Sequence, residues 1–174
     1  MKIAITGTPG TGKTTIGEKL AEETSLEYIS INDLARERDC IISHDEDRNS
    51  DIVDVKELRR EVKNLEDCIL DGHLSHFMDN QMVFVLRCKP SVLKSRLEDK
   101  GWKEEKVAEN VDAEITGVIE REARNGNEDV YSIDTTDKDE EEVVGIIKDI
   151  VETGEGKEYK EHFDWIEKDE VDVV

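Results

Sequence analysis

The sequence predicts an α/β fold: a five-stranded parallel sheet with helices on both faces. Three observations predict it. Short apolar runs alternate along the chain with amphipathic runs of helical period, the pattern of right-handed βαβ crossovers. Met82–Leu86 (MVFVL) is continuously apolar, as expected of a central parallel strand buried on both faces. A short apolar strand, a Gly-rich loop and an amphipathic helix follow one another at the N-terminus, an order that presents a helix N-terminus to an anion.

The elements are expected as follows. Lys2–Thr6 is the first strand, Gly7–Gly12 a loop, and Lys13–Glu23 a helix with Ile16, Leu20 and Ala21 at helical spacing. Leu26–Ile29 is a second strand. Asn32 or Asp33 caps a helix running through Leu34 and Arg38. Ile41–Asp54 is polar, acidic and irregular. Val55–Leu65 is amphipathic, with Val55, Leu58, Val62 and Leu65 on one face. Cys68–Leu70 is a strand ended by Asp71-Gly72. Pro90 opens a helix that turns Val92, Leu93 and Leu97 inward. Gly101 interrupts, and Lys106–Arg124 reads as one long amphipathic helix. Val130–Ile133 is the last strand and Glu140–Val151 the last helix. Residues 1–152 are expected to form one domain. Residues 153–174 make an acidic tail with Tyr159, Phe163, Trp165 and Ile166; it is either frayed or docked on the body or a partner.

Charged residues are 40% of the 174 and hydrophobic ones 36%, with a net charge of −21. A chain this acidic repels nucleic-acid phosphates, so direct duplex binding is not expected. A basic protein partner fits the charge better, or the charge suits a salty cytoplasm, where screening weakens self-repulsion. Cys40, Cys68 and Cys88 are isolated and lack metal or redox spacing, as buried thiols of a reducing compartment would. The N-terminus reads as a strand and not a signal peptide, and no run approaches the ~18 apolar residues of a membrane span. The expected location is cytoplasmic.

Gly7-Thr8-Pro9-Gly10-Thr11-Gly12-Lys13-Thr14 fits G-x-x-x-x-G-K-S/T. Backbone N–H groups must converge on a phosphate there, and Gly7, Gly10 and Gly12 let the chain turn tightly enough. Lys13 reaches the β- and γ-phosphates of ATP, Thr14 offers a hydroxyl to Mg²⁺, and Thr15 adds an α-phosphate contact. A guanine-reading N-K-x-D is absent. Arg36, on the helix after the second strand, suits a monophosphate clamp or is a solvated charge. Asp71, ending a strand beside the loop, is placed to hold Mg²⁺ through water. His73 next to it can bond a phosphate or position a water, or is structural. His73 and His76 stand at i, i+3 without an evident third metal ligand. Arg87, Arg96 and Lys100, around Gly101-Trp102, suit a lid closing over phosphates.

Gly7–Thr15, Asn32-Asp33-Leu34-Ala35-Arg36, Asp71-x-His73, Val83–Arg87, Arg96-Leu97-x-x-Lys100-Gly101-Trp102 and Glu109-Asn110 together resemble the short-lid adenylate kinases of archaea and the eukaryotic nucleus. These are also ATPases implicated in maturation of the small ribosomal subunit. The resemblance covers residues 1 to 151, and Val130–Thr136 (VYSIDTT) is similar to the archaeal branch. It implies a P-loop nucleoside-monophosphate-kinase-like fold with a short lid. It implies that Gly7, Gly10, Gly12, Lys13, Thr14, Thr15 and Lys100 hold ATP, and that Thr14 and Asp71 serve Mg²⁺. The acceptor, AMP or another nucleoside monophosphate, falls to residues 30–53 with Arg36 on its phosphate. Residues 99–109 form the lid. Asp71 is a Walker-B-like acid, His73 a catalytic histidine, and Arg96 and Lys100 position the nucleotides. A basic ribosomal protein of the small subunit is the implied partner. The chain departs from the pattern where Lys100 replaces a lid arginine, since lysine lacks the bidentate fork. It departs again where Asp112 and Glu114 stand at positions long-lid enzymes give to arginine, with Arg121 and Arg124 further along. A third reading, phosphorylation of a small metabolite such as shikimate or gluconate, is kept open by the same loop.

Overall fold

A computed structural model describes residues 1–46 and 50–166. Seven strands and seven α-helices follow in the order β1 (Lys2–Gly7), α1 (Lys13–Glu23), β2 (Glu27–Ser30), α2 (Ile31–Glu37), β3 (Ile41–Asp45), β4 (Ser50–Val53), α3 (Val55–Val62), β5 (Cys68–Asp71), β6 (Met82–Arg87), α4 (Pro90–Asp99), α5 (Glu104–Thr116), α6 (Val118–Gly126), β7 (Val130–Asp134) and α7 (Glu140–Thr153) among the described residues. Five strands form one parallel sheet, ordered β2-β5-β1-β6-β7. Ile5 stands beside Asp71 on one side and Phe84 on the other. Gly7, Ser30, Asp71, Arg87 and Asp134 therefore finish along one edge, the edge where ligands of such sheets bind.

Strand alternation sorts the core. Ile3, Ile5, Phe84 and Leu86 meet Ile16 and Leu20 of α1 and Val143, Val144, Ile147 and Ile150 of α7. Ala4, Val83, Val85 and Val130 face the other way, against Ala123 of α6. Leu70 and Cys68 join Ala35 of α2 and Leu58 and Val62 of α3. Leu93 and Leu97 of α4 pack on Val107 and Val111 of α5. Each such large side chain contributes roughly 1.5–3 kcal/mol by leaving water.

Four details differ from the sequence expectation. Ser30, not Asn32 or Asp33, caps α2, its Oγ accepting from the Asp33 N–H at 3.3 Å. The stretch from Ile41 is not irregular: β3 and β4 pair antiparallel. Ile42 and Ile52 point outward, so the hairpin buries too little to show an apolar period. Residues 47–49, which join its strands, lie outside the described residues. The helix expected over Lys106–Arg124 begins earlier, at Glu104, and breaks at Gly117, whose φ of 60° is left-handed; that conformation ends α5 and restarts the chain as α6. α3 stops at Val62 instead of Leu65 because its cap residue Lys63 already turns back to Arg60 O.

The tail docks on the body as far as it is described. Trp165 has no exposed surface, and the Arg124 guanidinium donates to the carbonyls of Lys160 and Glu161. Residues 167–174 lie outside the described residues. The three cysteines are buried and free. Among the described residues no helix is long and apolar enough to cross a membrane.

Candidate active site

The phosphate loop connects β1 to α1. A Cβ at Gly7, where φ is 137°, would stand 2.4 Å from Leu86 O, so β6 itself demands glycine there. Gly10, Gly12 and Thr15 line a cavity of about 230 Å³ with Arg96, Thr135, Lys138, Asp139 and Glu140. Thr8 and Pro9 line a second cavity, about 460 Å³, with Asn32, Arg36, Asp51, His73, Trp102 and Asn110. The loop thus divides two spaces along the carboxyl edge of the sheet. Lys13 Nζ donates to Thr8 O at 3.0 Å. Burial lowers its pKa to about 8, against the opposing charges of Asp71 and Glu114 and with help from Lys100.

Asp71 collects two hydroxyls on one oxygen. Thr14 Oγ1 and Tyr28 Oη both donate to Oδ2 at 2.8 Å. Burial, then the bond to Asp71, pushes the Tyr28 phenol well up, so it remains a donor. Asp71 Oδ1 is buried and lacks a hydrogen-bond partner among the described residues. A buried, unsatisfied carboxylate oxygen beside a threonine hydroxyl suits a hard cation that takes oxygen ligands. The residues present fit Mg²⁺.

The remaining expected residues are brought together unevenly. His73 reaches the larger cavity; desolvation and the Lys13 charge hold its pKa below the usual imidazole value, leaving it neutral at pH 7. Arg36 also lines that cavity, but its guanidinium is engaged by Asp33 and Asp51, each at 3.2 Å. Arg96 lines the smaller cavity and donates to Thr135 O at 3.4 Å. Lys100 caps the C-terminus of α4, near enough to act on the charge of Lys13. Arg87 is no lid residue. It is buried, with Nε 2.7 Å from Glu114 Oε1 and Nη1 2.5 Å from Glu120 Oε2. The expected lid is mostly helix, the first turns of α5 following the short Gly101–Lys103 link. Lys106 stands 4.6 Å above the Trp102 ring there. His76 does not join His73: its Nδ1 meets Thr6 Oγ1 at 3.0 Å. Among the described residues no three His, Cys, Asp or Glu side chains form a metal-holding group.

Sequence reasoning missed Tyr28, Thr8 and the inward role of Glu114, whose Oε2 accepts from Thr8 Oγ1 at 2.6 Å. Tyr28 carried a weak signal, as an aromatic in a strand next to that of Asp71. Glu114 carried none, since its partner lies 106 residues away.

A family model described as an AAA domain matches residues 3–117. Over 172 residues the chain is 40% identical to a protein of Methanocaldococcus jannaschii named "Putative adenylate kinase", spanning 97% of this chain and 94% of that relative. The chain belongs to this family. Solved structures agree on the fold. A shikimate kinase from Acinetobacter baumannii superposes with a TM-score of 0.65 at 18% identity, covering 88% of this chain and 94% of that one. A deoxyadenosine kinase from M. mycoides with bound dATP gives 0.61 at 17% identity, covering 88% and 100%. At such low identity the likeness carries the α/β fold of P-loop kinases and no more.

Proposed function

We propose that the chain is a nucleoside-monophosphate kinase that transfers the γ-phosphoryl of ATP to AMP, giving two ADP. The observation that carries this reading is the pair of cavities divided by the phosphate loop, one for each nucleotide. The family's named relatives support it. In this reading the smaller cavity takes the donor, with the loop N–H groups, Thr15 and Arg96 holding it, and the larger takes the acceptor. The chemistry needs positioning and charge neutralisation more than covalent help. Lys13 and Arg96 hold the transferring group from the donor side, and Lys100 closes on it from the end of α4. Arg36 leaves Asp33 and Asp51 for the acceptor phosphate; exposed ion pairs of that kind contribute only about 0–1 kcal/mol, so the exchange costs little. Thr14 and Asp71 would hold Mg²⁺, which when bound supplies further neutralisation of phosphate charge. His73, neutral, orients a water or a phosphate oxygen.

A second reading is favoured by the charge of −21 and by the two carboxylates on Arg36. In it, ATP hydrolysis switches affinity for a basic partner such as a ribosomal protein. One assay separates the two: ADP formed from MgATP with and without AMP. The kinase predicts a large AMP-dependent rise and two ADP per ATP consumed, with Lys13→Ala reducing it at least ~100-fold. Equal rates without AMP would leave hydrolysis as the main activity.

A further inference from the structure

One carboxylate joins the phosphate loop to the C-terminal segment. Glu114 is 2% exposed. Its Oε2 accepts from the Thr8 hydroxyl at 2.6 Å. Its Oε1 accepts from Arg87 Nε at 2.7 Å, from the Cys88 N–H at 3.1 Å and from the Trp165 indole N–H at 3.0 Å. Trp165 is held in turn. Its ring stands edge-on to Phe163 with centroids 4.6 Å apart. The Phe163 N–H donates to Glu120 Oε1 at 3.1 Å, and the Phe163 carbonyl accepts from Arg87 Nη1 at 2.9 Å. On the loop side Thr8 is held by Glu114 at its hydroxyl and, at its carbonyl, by Lys13 and by the Thr11 hydroxyl and N–H. A phosphate in the loop competes for the Lys13 ammonium. Thr11 then keeps the Thr8 carbonyl, and Glu114 alone fixes the Thr8 hydroxyl.

We propose that Trp165 and Glu114 are positioning residues for the phosphate loop: the C-terminal segment fixes the Glu114 carboxylate, and that carboxylate presets Thr8 for nucleotide. The inference rests on the reading of the loop as a nucleotide site. A carboxylate is held the more closely the more donors it accepts from, and a loop already in its binding shape spends less free energy on ordering when the ligand arrives. Removing the indole N–H leaves Oε1 with Arg87 and the Cys88 N–H alone, and so loosens the carboxylate and the Thr8 hydroxyl it fixes. The tail is thereby a working part of the site, although none of its described residues lines either cavity.

The test uses the full chain and MgADP, which needs no acceptor. Trp165→Phe keeps an aromatic ring and removes the indole donor. Calorimetric titration at a temperature where circular dichroism shows both proteins folded is expected to give about tenfold weaker binding. Thr8→Val is expected to lose a similar factor, and Thr8→Ser to restore it. The double variant Thr8→Val with Trp165→Phe should bind no more weakly than the weaker single one, because both act through Glu114. Unchanged affinity in Trp165→Phe, or losses that multiply in the double variant, would overturn the proposal. If Trp165→Phe does not fold, Trp102→Phe leaves Trp165 as the sole tryptophan. Its emission is expected to shift on saturation with MgADP, and a constant spectrum overturns the coupling. A protein that binds MgADP but does not phosphorylate AMP fails the kinase reading and leaves this one standing; a protein that binds no nucleotide ends both.

Discussion

Lys13 is placed where burial opposes the charge that its proposed role requires, and pH exposes the conflict. Its amine titrates at about 8 in the free protein, pushed down by burial and by Lys100, and held from falling further by Asp71 and Glu114. Above that pH the free protein carries a neutral amine that no longer pairs with phosphate. The kcat/KM for ATP, which reports the free enzyme, should therefore fall about tenfold per pH unit above roughly 8. Bound phosphates favour the ammonium, so kcat should break at higher pH. Lys13→Arg, charged throughout, should show a lower plateau without the break; a flat wild-type profile to pH 10 would refute the assignment. Lys13, Thr14 and Asp71 were legible in the sequence because one short motif and one strand end place them. Tyr28 and Glu114 were not. Their contacts with Asp71 and Thr8 span 43 and 106 residues, and only the folded sheet closes such distances.

The joint between elements is Arg87, which ties β6 to α5, α6 and the tail. Its guanidinium bonds the Glu114 carboxylate, the Glu114 carbonyl, Glu120 and the Phe163 carbonyl. Burial pushes Glu120 up, but Ser132, Arg87, Arg124 and the Phe163 N–H outweigh it and hold its carboxyl below the ordinary value. Arg87→Met would leave two buried carboxylates without their shared cation. The expected cost is roughly 3–5 kcal/mol, read as a lower urea midpoint at constant slope; a loss under 1 kcal/mol would show that the other donors suffice. The sequence put Arg87 beside the lid because it follows an apolar strand and precedes basic helix positions. Nothing local distinguishes an arginine that leaves the strand end toward solvent from one that turns inward to meet two glutamates. The break at Gly117 was hidden for a related reason. Val107 and Val111 before it and Ala123 after it are all buried, so the apolar period runs on through a change of direction. β3 and β4 escaped because Ile42 and Ile52 are exposed, which removes the alternation that marks a half-buried strand.

At the scale of the molecule, apolar pattern and charge pull on different properties. The five-stranded sheet was legible because its inner strands must be apolar to lie between two helix layers, and MVFVL announces one of them, beside the central β1. Charge shapes stability instead. Carboxylates exceed cations by 21, from 45 acidic and 24 basic residues. The described surface pairs, such as Lys19–Glu140, Lys148–Glu23 and Lys160–Asp129, involve partly exposed side chains worth about 0–1 kcal/mol each. The unpaired excess repels across the whole surface. Salt screens both, but repulsion summed over many distant carboxylates is the larger quantity, and the Debye length shortens from about 10 Å at 0.1 M to about 3 Å at 1 M. The buried Arg87–Glu114–Glu120 group is shielded from that change. KCl should therefore stabilise the fold, raising the calorimetric Tm steadily between 0.1 and 2 M. The rise should shrink in a variant whose exposed Glu104, Glu105, Glu141 and Glu158 are replaced by Gln, because that variant has less repulsion to screen. A Tm that falls with KCl would mean that surface pairs, not net repulsion, dominate the electrostatics of this chain.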